Sequence, residues 1–272
     1  MSEATTAARP AVLISGGAGG IGRATAARFV QEGWLVGVYD LDVVAAERTA
    51  TELGADAIGG SLDVTRSEDW TRVLAEFTEA SGGRLDLLIN NAGILRSGRL
   101  AETPIAAHHL TIDVNVKGVI NGCHAAYPYL KATADSGVIN LCSASAIYGQ
   151  AEIASYSASK FAVRGLTEAL ELEWRKEGIR VQAVWPLWVN TGLLDGAEAS
   201  SLDTLGVNLT VDDVADAIYA IARPSGVRGL LGRALPRKVH TAVGFPAKTL
   251  AAAADLVPSF VSREVNRLIT RS

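Results

Sequence analysis

The chain is short of the residues that bind metals or cross-link a fold. Its 272 residues include only two cysteines, Cys123 and Cys142, and four histidines. Neither cysteine has metal-ligand spacing, so free thiols in a reducing compartment are the expectation. Cys142 adjoins Ser143, which would let it sense oxidation, but a small buried core residue is the stronger reading. His108 and His109 have no cysteine or acid arranged around them and read as helix-surface or interface residues, not metal ligands. No apolar run approaches the roughly 20 residues that cross a bilayer. Met1 to Pro10 is small and polar, so it reads as a disordered leader and not as a secretory signal. A net charge of -4 gives no reason to expect a nucleic-acid partner. These absences point to a cytoplasmic protein, and 49% hydrophobic residues suffice for one full core.

What is present is alternation. Apolar runs begin near residues 11, 35, 57, 86, 137 and 179, with helical patterns between them. That predicts an α/β fold: one doubly wound domain, a parallel sheet of about seven strands with helices on both faces. The first run, Ala11 to Ile14, leads into Ser15-Gly16-Gly17-Ala18-Gly19-Gly20-Ile21-Gly22, and apolar positions at helical spacing follow. Glycines there let backbone approach a pyrophosphate, and the free N–H groups of a helix N-terminus bind its charge. The second run ends at Asp40, about 20 residues beyond the loop, where a carboxylate holds the ribose hydroxyls of a dinucleotide. It would repel a 2′-phosphate. Gly17, Ala18, Gly19 and Leu41, where a cation would serve that phosphate, are uncharged, so NAD(H) is preferred over NADP(H).

Further along stands Tyr156-Ser157-Ala158-Ser159-Lys160, with Ser143 thirteen residues upstream at the end of a strand-like run. Residues four apart share a helix face, so the Lys160 ammonium can sit beside the Tyr156 phenol. A tyrosinate at neutral pH lies roughly 4 kcal/mol above the phenol. A fixed cation favours the anion, which makes the pair a tuned proton donor and acceptor.

These motifs together resemble the short-chain dehydrogenase/reductase family over about residues 10 to 235. The glycine loop is similar to the family's Thr-Gly-x-x-x-Gly-x-Gly, with Ser15 in place of threonine. The resemblance implies that Gly16, Gly19, Gly20, Ile21 and Gly22 cradle the cofactor, with Asp40 and Leu41 at its ribose. Asp63-Val64, closing the third strand, would hold the adenine, and Asn91, Ala92 and Gly93 would border the cofactor after the fourth. Asn115, Ser143, Tyr156 and Lys160 match the family's catalytic tetrad. In that scheme Tyr156 moves the proton and Ser143 orients the substrate oxygen. Lys160 lowers the Tyr156 pKa and binds the nicotinamide ribose, while Asn115 holds a relay water. Val189 and Thr191 would hold the carboxamide, and Pro186 would also border the cofactor. Leu187 stands where the family carries glycine, which alters the backbone or packing near the nicotinamide. A seventh strand is expected near Gly229-Leu230-Leu231.

The implied reaction is hydride transfer between NAD(H) and an apolar secondary alcohol or its ketone. An enoyl reductase of the same fold would separate tyrosine and lysine by six residues, which disfavours it. A catalytically silent NAD-binding sensor or scaffold would normally have lost part of the tetrad. A lid over the substrate is expected at about residues 190–209, with Ser143, Tyr148, Trp188 and Leu193 as candidate substrate contacts. Residues 236–272 read as a helical extension with Val261, Val265 and Leu268 on one stripe and Arg263, Arg267 and Arg271 on another. A solvated basic face on an interface helix is preferred there over contact with an anionic membrane. The family resemblance suggests a homotetramer or homodimer.

Overall fold

The computed structural model describes residues 9–192, 206, 209–222, 238–254 and 267. Strands and helices alternate through most of that length. They run β1 (Ala11–Ser15), α1 (Gly20–Gln31), β2 (Leu35–Asp40), α2 (Val43–Leu53), β3 (Ala57–Ser61), α3 (Ser67–Ala80) and β4 (Leu87–Asn90). Next come α4 (Ile105–Ile112), a π-helical turn (Asp113–Lys117), α5 (Gly118–Ala132), β5 (Gly137–Leu141) and α6 (Ala154–Trp174). The described chain closes with β6 (Arg180–Pro186), α7 (Val211–Ala222), β7 (His240–Val243) and α8 (Phe245–Ala254).

The seven strands form one parallel sheet in the order β3-β2-β1-β4-β5-β6-β7. The order reverses between β1 and β4, which opens a crevice at their carboxyl ends, the site where such sheets bind ligands. Side chains alternate across a strand, and β1 shows it. Ala11 and Leu13 join a core with Trp70, Phe77, Cys123 and Val163, under α3, α5 and α6. Val12 and Ile14 join the opposite core with Phe29, Val38, Val214 and Ile218, under α1 and α7. Both faces are therefore covered, which is why all five residues of β1 are buried.

The seventh strand differs from expectation. It is made by His240–Val243 and pairs with β6, so the sheet draws its last strand from the segment expected to be a helical extension. Residues 229–231 lie outside the described residues, as do residues 193–205, 207 and 208 of the expected lid, Leu193 included, and every position of the tail stripes except Arg267. Asp63-Val64 also lies just past β3, which ends at Ser61.

Buried amides stitch the middle of the sheet. Asn90 Nδ2 donates to Asn140 Oδ1 at 2.9 Å, and Asn140 Nδ2 donates to Thr167 Oγ1 at 3.0 Å. This joins β4, β5 and α6 below the crevice.

Candidate active site

The turn from β1 into α1 is shaped by close backbone approach. Gly16 has φ +65°, and a Cβ on it would stand 2.8 Å from the Ala92 Cα. A Cβ on Gly22 would stand 2.0 Å from the Gly16 carbonyl oxygen, so the first turn of α1 packs against the loop only as glycine. Ser15 joins this loop to the turn after β4. Its Oγ accepts from the Asn91 and Ala92 N–H groups at 3.2 Å each, and Asn91 Nδ2 donates to the Gly16 carbonyl at 2.7 Å. Gly19 caps α1 without a side-chain bond, the first turn carries no acid, and nothing lies within 4 Å of where a Gly19 Cβ would be. That cradle fits a pyrophosphate.

Asp40 ends β2 with its carboxylate turned to the loop, accepting from the Ala18 N–H at 3.1 Å and the Asp42 N–H at 3.3 Å. Asp63 accepts from Thr65 through both N–H and hydroxyl. The Val64 carbonyl accepts from the Trp70 indole and from Asn121 at 3.1 Å each, which fixes this turn in place.

Ser143 caps the short turn after β5. Its Oγ accepts from the Ser145 N–H at 3.1 Å and donates to the Ser145 hydroxyl at 3.2 Å. Tyr156 and Lys160 stand one turn apart on α6, 5% and 6% exposed. Lys160 Nζ donates to the Leu141 carbonyl at 2.9 Å and lies 5.4 Å from the centre of the Tyr156 ring. Asn115 sits in the π-helical turn, a feature often found at functional sites. Its side chain accepts from the Ile94 N–H at 2.8 Å and donates to the Ile94 carbonyl at 2.9 Å and to Ser159 at 3.1 Å.

Burial governs the ionisation of this group. It pushes the Tyr156 phenol above its ordinary value, with a hydrogen bond from Ser143 working against it, and it pushes Lys160 down. Lys160 is not among the groups that shift Tyr156 in the protein alone, so the expected lowering by Lys160 is not seen there, and Tyr156 is a proton donor.

One cavity of about 620 Å³ brings these parts together. Gly16, Gly19, Gly20, Ile21, Asp40 and Leu41 line one end, and Asp63, Val64, Asn91, Ala92 and Gly93 continue the wall. Ser143, Tyr156 and Lys160 meet Pro186, Trp188, Val189 and Thr191 at the other end. Gly22 and Asn115 stand behind the lining and support it. Tyr148 does not line the cavity. Its hydroxyl is buried with no hydrogen-bond partner among the described residues, and its pKa is pushed up to about 12 by burial.

Leu187 fills the position of the expected glycine by packing between two clusters, Tyr156 with Trp188 on one side and Ala144 with Ala242 on the other. His108 lies where α4 meets α6, half-buried, with Nε2 3.1 Å from the Leu100 carbonyl and Nδ1 bonded to the Ser155 hydroxyl beside Tyr156. Ile94, Leu95 and Arg96 also line the cavity. Their only signal in the sequence is their place directly after Asn91-Ala92-Gly93.

Comparison with known proteins places this geometry. Residues 10–201 match the model of the short chain dehydrogenase family. A 2,5-dichloro-2,5-cyclohexadiene-1,4-diol dehydrogenase of Sphingobium indicum is 37% identical over 66% of this chain and 72% of its own. A 3-alpha-(or 20-beta)-hydroxysteroid dehydrogenase of Mycobacterium tuberculosis is 36% identical over 67% of this chain and 70% of its own. Among solved structures, a 3-ketoacyl-(acyl-carrier-protein) reductase from Brucella melitensis complexed with NADH superposes with a TM-score of 0.78. It is 27% identical and covers 86% of this chain and 96% of its own.

Proposed function

The chain belongs to the short-chain dehydrogenase family of oxidoreductases, and on that premise we propose that it interconverts an apolar secondary alcohol and its ketone using NAD(H). The observation that carries the reading is the meeting of Ser143, Tyr156 and Lys160 with the glycine loop and Asp40 around one cavity. A bound nicotinamide supplies the hydride, or accepts it in the oxidative direction. The side chains manage the proton. In reduction, the Tyr156 hydroxyl gives its proton to the carbonyl oxygen, and in oxidation it takes one from the alcohol. The Ser143 hydroxyl hydrogen-bonds the same oxygen and orients it. Lys160 stabilises the tyrosinate left behind, and its Leu141 bond holds the ammonium in place. Asn115 keeps the Ile94 backbone, and with it this wall of the cavity, in register.

Asp40 supports NAD(H) over NADP(H), because its carboxylate faces the loop and makes no ion pair among the described residues. Both dehydrogenase relatives are named for hydroxyl groups on carbocyclic substrates, and Ile94, Leu95, Leu187 and Trp188 give the cavity an apolar substrate end suited to such rings. The test follows NADH absorbance in the near ultraviolet across cyclic alcohols and ketones, with NADPH in parallel and Tyr156→Phe as control. Turnover that survives Tyr156→Phe at the wild-type rate would refute the mechanism, and preference for NADPH would refute the cofactor assignment.

A further inference from the structure

We propose that Arg96 receives an anionic end of the substrate, so that the preferred substrate is an apolar ketone or secondary alcohol bearing a carboxylate away from the reacting carbon. The inference rests on the proposed role of Tyr156 at the reacting oxygen.

The chain after β4 is clamped on both sides of Arg96. Two residues before it, Ile94 is held through both backbone groups by Asn115. Two residues after it, the Gly98 N–H donates to the Glu152 carbonyl at 2.7 Å. Gly98 has φ +131°, and a Cβ there would stand 2.7 Å from Thr103 Oγ1, so this second clamp requires glycine. Between the clamps, Leu95 is buried against Ile153, Tyr156 and Trp188. Its neighbour Arg96 is exposed and lines the cavity. The clamps thus fix the backbone of Arg96 next to Leu95, which packs on Tyr156, while its side chain lines the cavity.

Among the described residues, four charged side chains line this cavity: Asp40, Asp63, Arg96 and Lys160. Both acids belong to the nucleotide end, and Lys160 stands beside Tyr156. Arg96 is left without a task. Among the described residues its only hydrogen bond is a long one, from Nη1 to the carbonyl of Leu95 at 3.4 Å, and it forms no ion pair. Arg23, Arg84 and Arg175, by contrast, each hold a carboxylate within 2.8 Å. A guanidinium offers a fork of donors matched to a carboxylate. With no acid lining this end among the described residues, the field of Arg96 and Lys160 favours an anion there.

The experiment uses the NADH-loaded protein and a series of cyclohexanone-ring alkanoic acids of increasing tether length, each beside its methyl ester, with binding measured by calorimetry. At the best tether the acid should bind about five- to tenfold more tightly than the ester. The difference should shrink with added salt. Arg96→Gln should make acid and ester bind alike, while Arg96→Lys should keep part of the preference. Equal binding of acid and ester by the wild type, a preference that survives Arg96→Gln, or no binding by any acid would each overturn the proposal. Failure of the proposed function looks different: the acid would bind through Arg96 yet show no turnover that depends on Tyr156.

Discussion

Tyr156 carries the largest single effect expected of any residue. Tyr156→Phe removes the transferable proton and should lower turnover by about 10²- to 10⁴-fold, with NADH binding retained. The pH dependence follows from its raised pKa. Reduction needs the phenol and should slow as pH rises through the titration, whereas oxidation needs the phenolate and should speed up. Rate profiles in both directions would reveal the crossing, and parallel profiles would contradict it. The two thiols titrate with a different consequence. Burial lifts Cys142 from 9.0 to about 11 and Cys123 from 9.0 to about 12. Below pH 9 folded and unfolded chains both keep these protons, so the thiols add no pH dependence. Above it the unfolded chain releases protons that the folded chain retains. Stability should then fall by roughly 1 kcal/mol per pH unit per thiol, up to the folded values. Urea unfolding across that window should show a shallower decline in Cys123→Ala, and iodoacetamide should label neither thiol before unfolding.

Among the elements, α1 and the π-helical turn bear most directly on the site. Gly22→Ala would drive a Cβ into the Gly16 carbonyl and should cost about 3 kcal/mol or abolish NADH binding, read by urea unfolding and calorimetry. Asn115→Ala would strip both partners from the Ile94 backbone and should cost about 2–4 kcal/mol by the same measurement. The central strands could be read from the sequence because a strand buried on both faces reads as an apolar run, as Leu87-Leu88-Ile89 does, and the edge strand β3 from its place in the strand–helix alternation. The edge strand His240–Val243 could not, since it runs only four residues and begins with two polar ones. The glycine loop, Asp40 and the Tyr156–Lys160 pair are local patterns with fixed spacing, so they were legible. The bond from His108 to Ser155 joins residues 47 apart, and no spacing rule announces it. Tyr148, a candidate substrate contact, does not line the cavity, because sequence alone does not say which way a turn sends a side chain.

On the scale of the molecule, cofactor binding and self-association report on the fold together. NADH at a hundredfold excess over its dissociation constant should stabilise the protein by about 3 kcal/mol. That corresponds to a rise in Tm of roughly 5–10 °C. NADPH should do less, and Asp40→Ala should narrow the gap. Ile120 on α5 and Phe161 and Leu172 on α6 are exposed apolar side chains on the two long helices, and we expect the chain to pair through this face. Light scattering should find a dimer or tetramer, with Phe161→Glu shifting it toward monomer. The strand order holds a last consequence. Val12 pairs with Leu87, and β1 to β4 are complete at Asn90, sixty-six residues before Tyr156. A ribosome therefore finishes the strands that carry the glycine loop and Asp40 while Ser143, Tyr156 and Lys160 are still untranslated, so the proposed docking platform is synthesised before the proposed reactive group.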